Sequence, residues 1–242
     1  MQKKKNNKTI LLLAAAIVLL VIGLATVFTF IMPMSKDKET YYIYIDGDDT
    51  MDSVMNKLEP GSKTIPLKIF SALAAYTGYD KNIRTGRYAI DETEGTLQTF
   101  RKFRNGMQSA VSLTIPSVRT KERLAQEVSK RMMIDKEELL SALNDDKICR
   151  KYGMDTQTIQ CIFIPNTYDV YWNISVEKFL DRMKKEYEAF WNNERKNKAE
   201  AIGMTQQEVV TLASIIDEET ANNAEKPMVA GMYINRLKIN MP

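Results

Sequence analysis

The chain of 242 residues contains no histidine and only two cysteines, Cys149 and Cys161. Without histidine there can be no Ser-His-Asp or Cys-His nucleophile system and no His-ligated metal centre, so bond cleavage would fall to carboxylates, lysine or tyrosine. Two cysteines without histidine do not make a zinc site either, and no cofactor is implied. In an exported domain the pair could form a disulfide; Cys161 opens the apolar stretch CIFI, which reads equally as a small buried hydrophobe. A strong charge bias is also missing. Of the 34 basic residues four precede Ile10, and the remainder nearly balances 31 acids. That balance argues against a nucleic-acid partner, which needs concentrated positive charge.

What the chain does have is one long uncharged run, ILLLAAAIVLLVIGLATVFTFI, from Ile10 to Ile31. At about 1.5 Å per residue it spans a hydrocarbon core of about 30 Å. Lys3, Lys4, Lys5 and Lys8 precede it with no acid between them, whereas Lys36 and Lys38 behind it alternate with Asp37 and Glu39. The stronger basic cluster stays in the cytoplasm, which places everything after about Pro33 outside. A cleavable signal peptide is the competing reading, against which the run is long for a signal core of about 7–15 residues. Both readings export the rest of the chain.

After a polar linker, YYIYID has the aromatic and β-branched content of a strand. Asp48, Asp49 or Thr50 can cap a helix reaching about Glu59, Pro60 and Gly61 break it, and Pro66 opens a second helical stretch. RTGRYAI, residues 84–90, is a second strand, giving a small α+β module in the order strand, helix, helix, strand. Leu97, Phe100 and Phe103 have helical spacing ended by Gly106, and SAVSLTIP alternates as a strand. Thr120 and Asp135 each open a further helix. FIPNTYDVYWNIS, residues 163–175, reads as extended, and the positions from Val176 to about Ala201 read as one long amphipathic helix.

Thr205 with Glu208 three residues on is a capping-box pattern in front of the apolar run VVTLASII, so a helix should start at about Gln206. Three acids, Asp217, Glu218 and Glu219, close it. At about 100° per residue Glu218 lies roughly 170° from the apolar direction, on the solvent side, and Asp217 and Glu219 fall at roughly 90° and 70° on opposite edges. Glu219 should emerge beside Ile215 and Ile216, partly desolvated, the setting that a general acid at neutral pH needs. The plainer alternative is a solvated helix end, although three acids at a C-terminus oppose the helix dipole. A turn at Asn222 and Asn223 leads into a last helix with Pro227 in its first turn and a buried stripe of Met228, Val229, Met232, Tyr233 and Leu237. Asn235 and Arg236 either point toward the acid helix, where they could bind sugar hydroxyls or orient a carboxylate, or lie exposed on the surface.

The run VVTLASIIDEETANNAEKPMVAGMYINRLKINMP resembles the signature of the MltG/YceG-like endolytic transglycosylases of bacterial peptidoglycan. RTGRYAI looks like the Gly-Tyr strand that ends that family's LysM-like module, and FIPNTY is similar to its Phe-x-Pro-Asp-Thr-Tyr segment. The resemblance implies residues 1–9 as a cytoplasmic tail, 10–32 as a single-pass plasma-membrane helix, 33–40 as a linker, 41–106 as a LysM-like module, and 107–242 as a mixed, mainly helical catalytic module. The fold class is thus α+β behind a membrane helix. The family's catalytic acid, the second glutamate of A-S-I-[IV]-E-x-E-T, maps to Glu219. Asp217 stands where the family has its first glutamate, and Glu218 where lysine is frequent. Asn166 replaces the usual aspartate and precedes Tyr168; both are carried over, with Asp217, Asn235 and Arg236, as substrate-binding or supporting residues.

The implied reaction cleaves the β-1,4 bond between N-acetylmuramic acid and N-acetylglucosamine without water and leaves 1,6-anhydro ends, with one carboxyl acting as acid and then base. The implied partners are peptidoglycan glycan strands and the peptidoglycan synthases. Family members continue past the Asn-Arg-Leu helix, so the resemblance also implies a truncated chain of weak or no activity. A non-catalytic glycan-binding scaffold of the cell-wall machinery is the alternative from another class. A plain inverting hydrolase would need a second acid about 6.5–9.5 Å from the first, for which Asp217 is poorly placed.

Overall fold

The computed structural model describes residues 2–241, with side chains at position 13 and from 15 onward. Contacts within the chain divide it into two compact units, Met1–Ala110 and Val111–Pro242. The architecture is α+β, mainly helical, with two small two-stranded sheets.

The first unit begins with α1 (Gln2–Ile31). The expected membrane segment falls in this helix, but the side chains of residues 1–12 and 14 lie outside the described set. Among the described residues no helix is long and apolar enough to cross a membrane. Residues 33–36, read as part of a linker, are tied into the unit. Met34 is fully buried, Lys63 N–H donates to its carbonyl at 2.9 Å, and the Met32 carbonyl accepts from both the backbone and the hydroxyl of Thr96. An apolar side chain inside a polar stretch was enough to anchor it.

Strand, helix, helix, strand follow as expected: β1 (Tyr41–Ile45), α2 (Met51–Leu58), α3 (Thr64–Thr77) and β2 (Gly86–Ile90), then α4 (Thr96–Asn105). Thr50 caps α2 by accepting from Ser53 N–H. Gly78 and Gly106, at φ +70° and +69°, end α3 and α4 in the left-handed region, where a side chain would be strained. β1 and β2 pair antiparallel with Ile43 opposite Tyr88, so Ile43, Ile45, Tyr88 and Ile90 face inward and Tyr42, Tyr44 and Arg87 outward. Phe70 of α3 meets Phe100 and Phe103 of α4 edge to face, each at 5.3 Å, and Tyr88 stacks on Phe103 at 4.5 Å. Burial pushes the Tyr88 phenol up to about 12, and its hydroxyl donates to the Arg84 carbonyl.

In the second unit, β3 (Val111–Ile115) is followed by α5 (Lys121–Ser129), α6 (Lys136–Asn144) and α7 (Asp146–Lys151). The extended segment becomes β4 (Asn166–Val170), antiparallel to β3 with Leu113 opposite Tyr168. Leu113, Ile115, Tyr168 and Val170 turn into a core completed by Leu124, Leu139 and Phe179. Cys149 and Cys161 are both buried free thiols.

The long helix expected over residues 176–201 is instead two, α8 (Val176–Phe190) and α9 (Asn193–Ala201). Trp191 leaves the helix at ψ 63° and is 3% exposed, while Asn192 caps α9 by accepting from Arg195 N–H at 2.9 Å. Arg195 in turn donates to the Phe190 carbonyl freed by the break. Burial of one indole and a local cap outweigh continued helical hydrogen bonding. The unit ends with α10 (Gln206–Glu219) and α11 (Lys226–Lys238).

Candidate active site

α10 starts as its sequence dictates. Thr205 accepts from Glu208 N–H, and the Glu208 carboxylate accepts from Thr205 N–H at 2.7 Å, closing the capping box. Leu212 and Ile216, one turn apart, are the buried residues of α10, with Val209 and Val210 partly buried against the core of the unit. Ile215 is 40% exposed, so the apolar stripe loses its cover in the last turn. Glu219 is accordingly exposed, not partly desolvated as its angular position predicts. The periodicity located the edge correctly but not the absence of packing over it.

Six residues carry the chain from α10 to α11. Thr220 donates its hydroxyl to Glu225 and accepts from Asn222 N–H at 3.0 Å, and the Asn222 side-chain amide donates to Glu225 at 3.0 Å. This stitched turn sets where α11 begins. Its residues Lys226 and Tyr233, seven apart and so on one face, reach back to different acids.

The three acids consequently have different partners. Lys226 Nζ lies 2.6 Å from Asp217 Oδ1, and the Ser117 hydroxyl donates to the same carboxylate; Lys226 holds Asp217 below the usual carboxylate range. Arg119 pairs with Glu218 at 2.9 Å, both largely exposed. Glu219 accepts from a neutral donor, the Tyr233 hydroxyl, 3.0 Å from Oε1, and has no salt bridge among the described residues. The two cations also offset the dipole cost of acids at a helix C-terminus. Of the three carboxyls, Glu219 is thus the one whose partner among the described residues is a neutral donor.

Beside the acids lies a cavity of about 800 Å³. Ser117, Arg119, Ser214 and Asp217 supply its polar lining, with apolar surface from Phe163 and Ile164. Glu219 is not one of its lining residues.

The other residues singled out from the sequence divide. The Arg236 guanidinium sits 5.8 Å from the Tyr233 ring centroid, which brings it to the neighbourhood of Glu219 at one remove. Asn235 is exposed. Asn166 opens β4, exposed, with its side-chain oxygen accepting from Thr167 N–H. Tyr168 is 4% exposed, donates its hydroxyl to the Ile164 carbonyl at 2.5 Å, and burial raises its pKa. Its hydroxyl thus holds the backbone at Ile164, a residue that lines the cavity. The buried stripe expected on α11 is absent, since Met228, Met232 and Leu237 are 72%, 49% and 59% exposed. Lys226, Arg119 and Tyr233 were not recognised from the sequence as site residues. Tyr233 had a signal, helical register with Lys226, but it was read as core.

Fold and site together define an α+β protein that presents an acid from a helix end braced by a second helix. The YceG-like family model matches residues 43–242, and the chain belongs to the YceG-like family. It is 22% identical over 251 residues to the endolytic murein transglycosylase of Streptococcus pneumoniae serotype 2, covering 91% of this chain and 44% of that protein. It is 23% identical over 246 residues to the endolytic murein transglycosylase of Bacillus subtilis strain 168, covering 92% and 67%. The chain thus spans less than half the length of the streptococcal relative. A YceG-like protein of Listeria monocytogenes superposes with a TM-score of 0.49 at 21% identity, over 85% of this chain and 72% of that one.

Proposed function

We propose that the protein is an endolytic murein transglycosylase, cutting the β-1,4 bond between N-acetylmuramic acid and N-acetylglucosamine with Glu219 as its acid and base. The observation that carries this reading is the division of the three acids: Asp217 and Glu218 face cations, and Glu219 faces a phenol. Glu219, protonated, gives its proton to the glycosidic oxygen as the bond to the muramyl anomeric carbon breaks. The carboxylate so formed takes the proton of the muramyl C6 hydroxyl, whose oxygen closes onto the anomeric carbon. Atoms balance without water, and Glu219 returns to its starting form. Family membership and the name shared by the curated relatives support the same chemistry.

In this proposal the uncharged run from Ile10 to Ile31 anchors the chain in the plasma membrane with its body outside, where nascent glycan strands and the peptidoglycan synthases are found. Sugar hydroxyls meet Ser117, Arg119 and Ser214 along the cavity wall.

A second reading, glycan binding without cleavage, draws on the exposure of Glu219 and on Tyr42 and Tyr44, 43% and 41% exposed on the outer face of β1. Mass spectrometry of glycan strands incubated with the full-length protein separates the two. The transglycosylase gives 1,6-anhydro ends that vanish in Glu219→Gln; strands bound by the wild type but left uncut establish the scaffold.

A further inference from the structure

We propose that Tyr233 is a positioning residue for Glu219, its hydroxyl engaging Oε1 so that Oε2 is the oxygen that presents the proton to the glycan and later receives one. The inference rests on the acid-base reading of Glu219. The geometry is a single hydrogen bond of 3.0 Å between the end of α10 and the second turn of α11. Tyrosine can only donate to a carboxylate, and as long as it donates to Oε1 the proton of the acid form sits on Oε2. With Oε1 so engaged, Oε2 carries the exchange. The hydrogen bond to Glu219 is the main cause of a raised Tyr233 pKa, which keeps the phenol protonated and the donor in place through neutral pH.

The neighbouring acids have partners of their own. From α10, Asp217 is engaged by Lys226 and Glu218 by Arg119. From α11, Arg236 stands over the Tyr233 ring and thus against the donor's own ring system. Glu225, at the entry to α11, is taken up by Thr220 and Asn222. The hydroxyl is carried by a side chain with only two torsions.

The test compares full-length wild type with Tyr233→Phe, which keeps the ring and removes the donor, using the rate of anhydro-end formation on glycan strands at low and saturating strand concentration. The expected result is a roughly ten- to hundredfold fall in the saturated rate, the range of one hydrogen bond to a charged group. Half-saturation should be unchanged, because the donor acts on the acid and not on the glycan. A structural role alone shifts half-saturation or the melting temperature along with the rate. An unchanged saturated rate in a cleaving enzyme overturns the positioning role and leaves Glu219 in place. Absence of anhydro ends from the wild type overturns both. Circular dichroism of Tyr233→Phe checks folding, and Tyr233→Leu, which loses ring and donor, should show the same fall in saturated rate.

Discussion

Lys226 Nζ approaches Asp217 Oδ1 at 2.6 Å, across the turn that joins α10 to α11. The bridge closes over nine residues of sequence, from the last turn of one helix to the first residue of the next. It thereby does two things at once. It ties the entry of α11 to the end of α10, and it removes Asp217 from the set of carboxyls able to hold a proton near neutrality.

That bridge has a pH signature. Lys226 depresses the Asp217 pKa in the folded chain, so the unfolded state binds the proton more tightly and the pair contributes stability above the ordinary aspartate value of about 4. The contribution is lost as pH falls through the folded pKa. With both side chains partly exposed it amounts to ~0.2–1 kcal/mol. Lys226→Met should lower the urea midpoint slightly at pH 7, and by progressively less as pH falls below about 4. An equal loss across that range would show that the lysine contributes through packing of its stem and not through charge.

The three adjacent acids should separate in activity. Glu219→Gln is expected to lose a factor of about 10²–10⁴, the range for a general acid-base group. Glu218→Gln removes only a pair that is exposed on both sides and should change the rate by less than about threefold. Asp217→Asn should fall between them, because it frees Lys226 and loosens the turn that sets Tyr233. Rates of anhydro-end formation for the three variants rank them directly; Asp217 emerging as the most damaging site would move the acid to the other edge of α10.

Both cysteines should be silent to thiol reagents in the native chain. Cys149 is fully buried and Cys161 is 8% exposed, and burial raises both thiol pKa values, which suppresses the reactive thiolate. Iodoacetamide at pH 7.5 should label neither until urea unfolds the second unit, and dithiothreitol should leave the melting temperature unchanged. A reducing-agent effect on melting would reveal a disulfide in place of the two thiols.

Local signals were legible in the sequence. The capping box of α10, the caps at Thr120 and Asp135, and strands β1, β2 and β3 follow from residues within a few positions of one another, where the physics is itself local; β4 is legible as an extended segment and the cap of α2 as one of Asp48, Asp49 or Thr50. The break between α8 and α9 was not, because the apolar spacing runs through it and the burial of Trp191, which joins the Asn192 cap in favouring the turn, is tertiary. The stripe of α11 was read correctly as a face and wrongly as buried, since periodicity states which residues share a side and nothing of what covers them. Glu219 was singled out by its place beside Ile215 and Ile216, and the desolvation expected of that place is absent. Its actual distinction, a phenol where its neighbours have cations, depends on Tyr233, Lys226 and Arg119, whose approach is tertiary.

The cap of α10 offers a test of how much that local chemistry holds the acid in position. Thr205→Ala removes the acceptor for Glu208 N–H and should cost about 1 kcal/mol, read as a lower urea midpoint with unchanged slope. Glu208→Ala removes the reciprocal bond to Thr205 N–H and should cost less, because that donor lies at an exposed chain entry where water can replace the carboxylate. The two side chains also bond each other at 2.8 Å, so the losses should not add; the double variant should recover about 0.5 kcal/mol relative to the sum. Strict additivity would mean that the two bonds form independently. Activity adds a second readout. The acids lie at the far end of a helix that Val209 and Val210 pack against the core, beyond its first turn, so fraying of that turn should leave the rate per folded molecule unchanged. A rate that falls with the cap would place the control of Glu219 at the start of α10 instead of in its contact with α11.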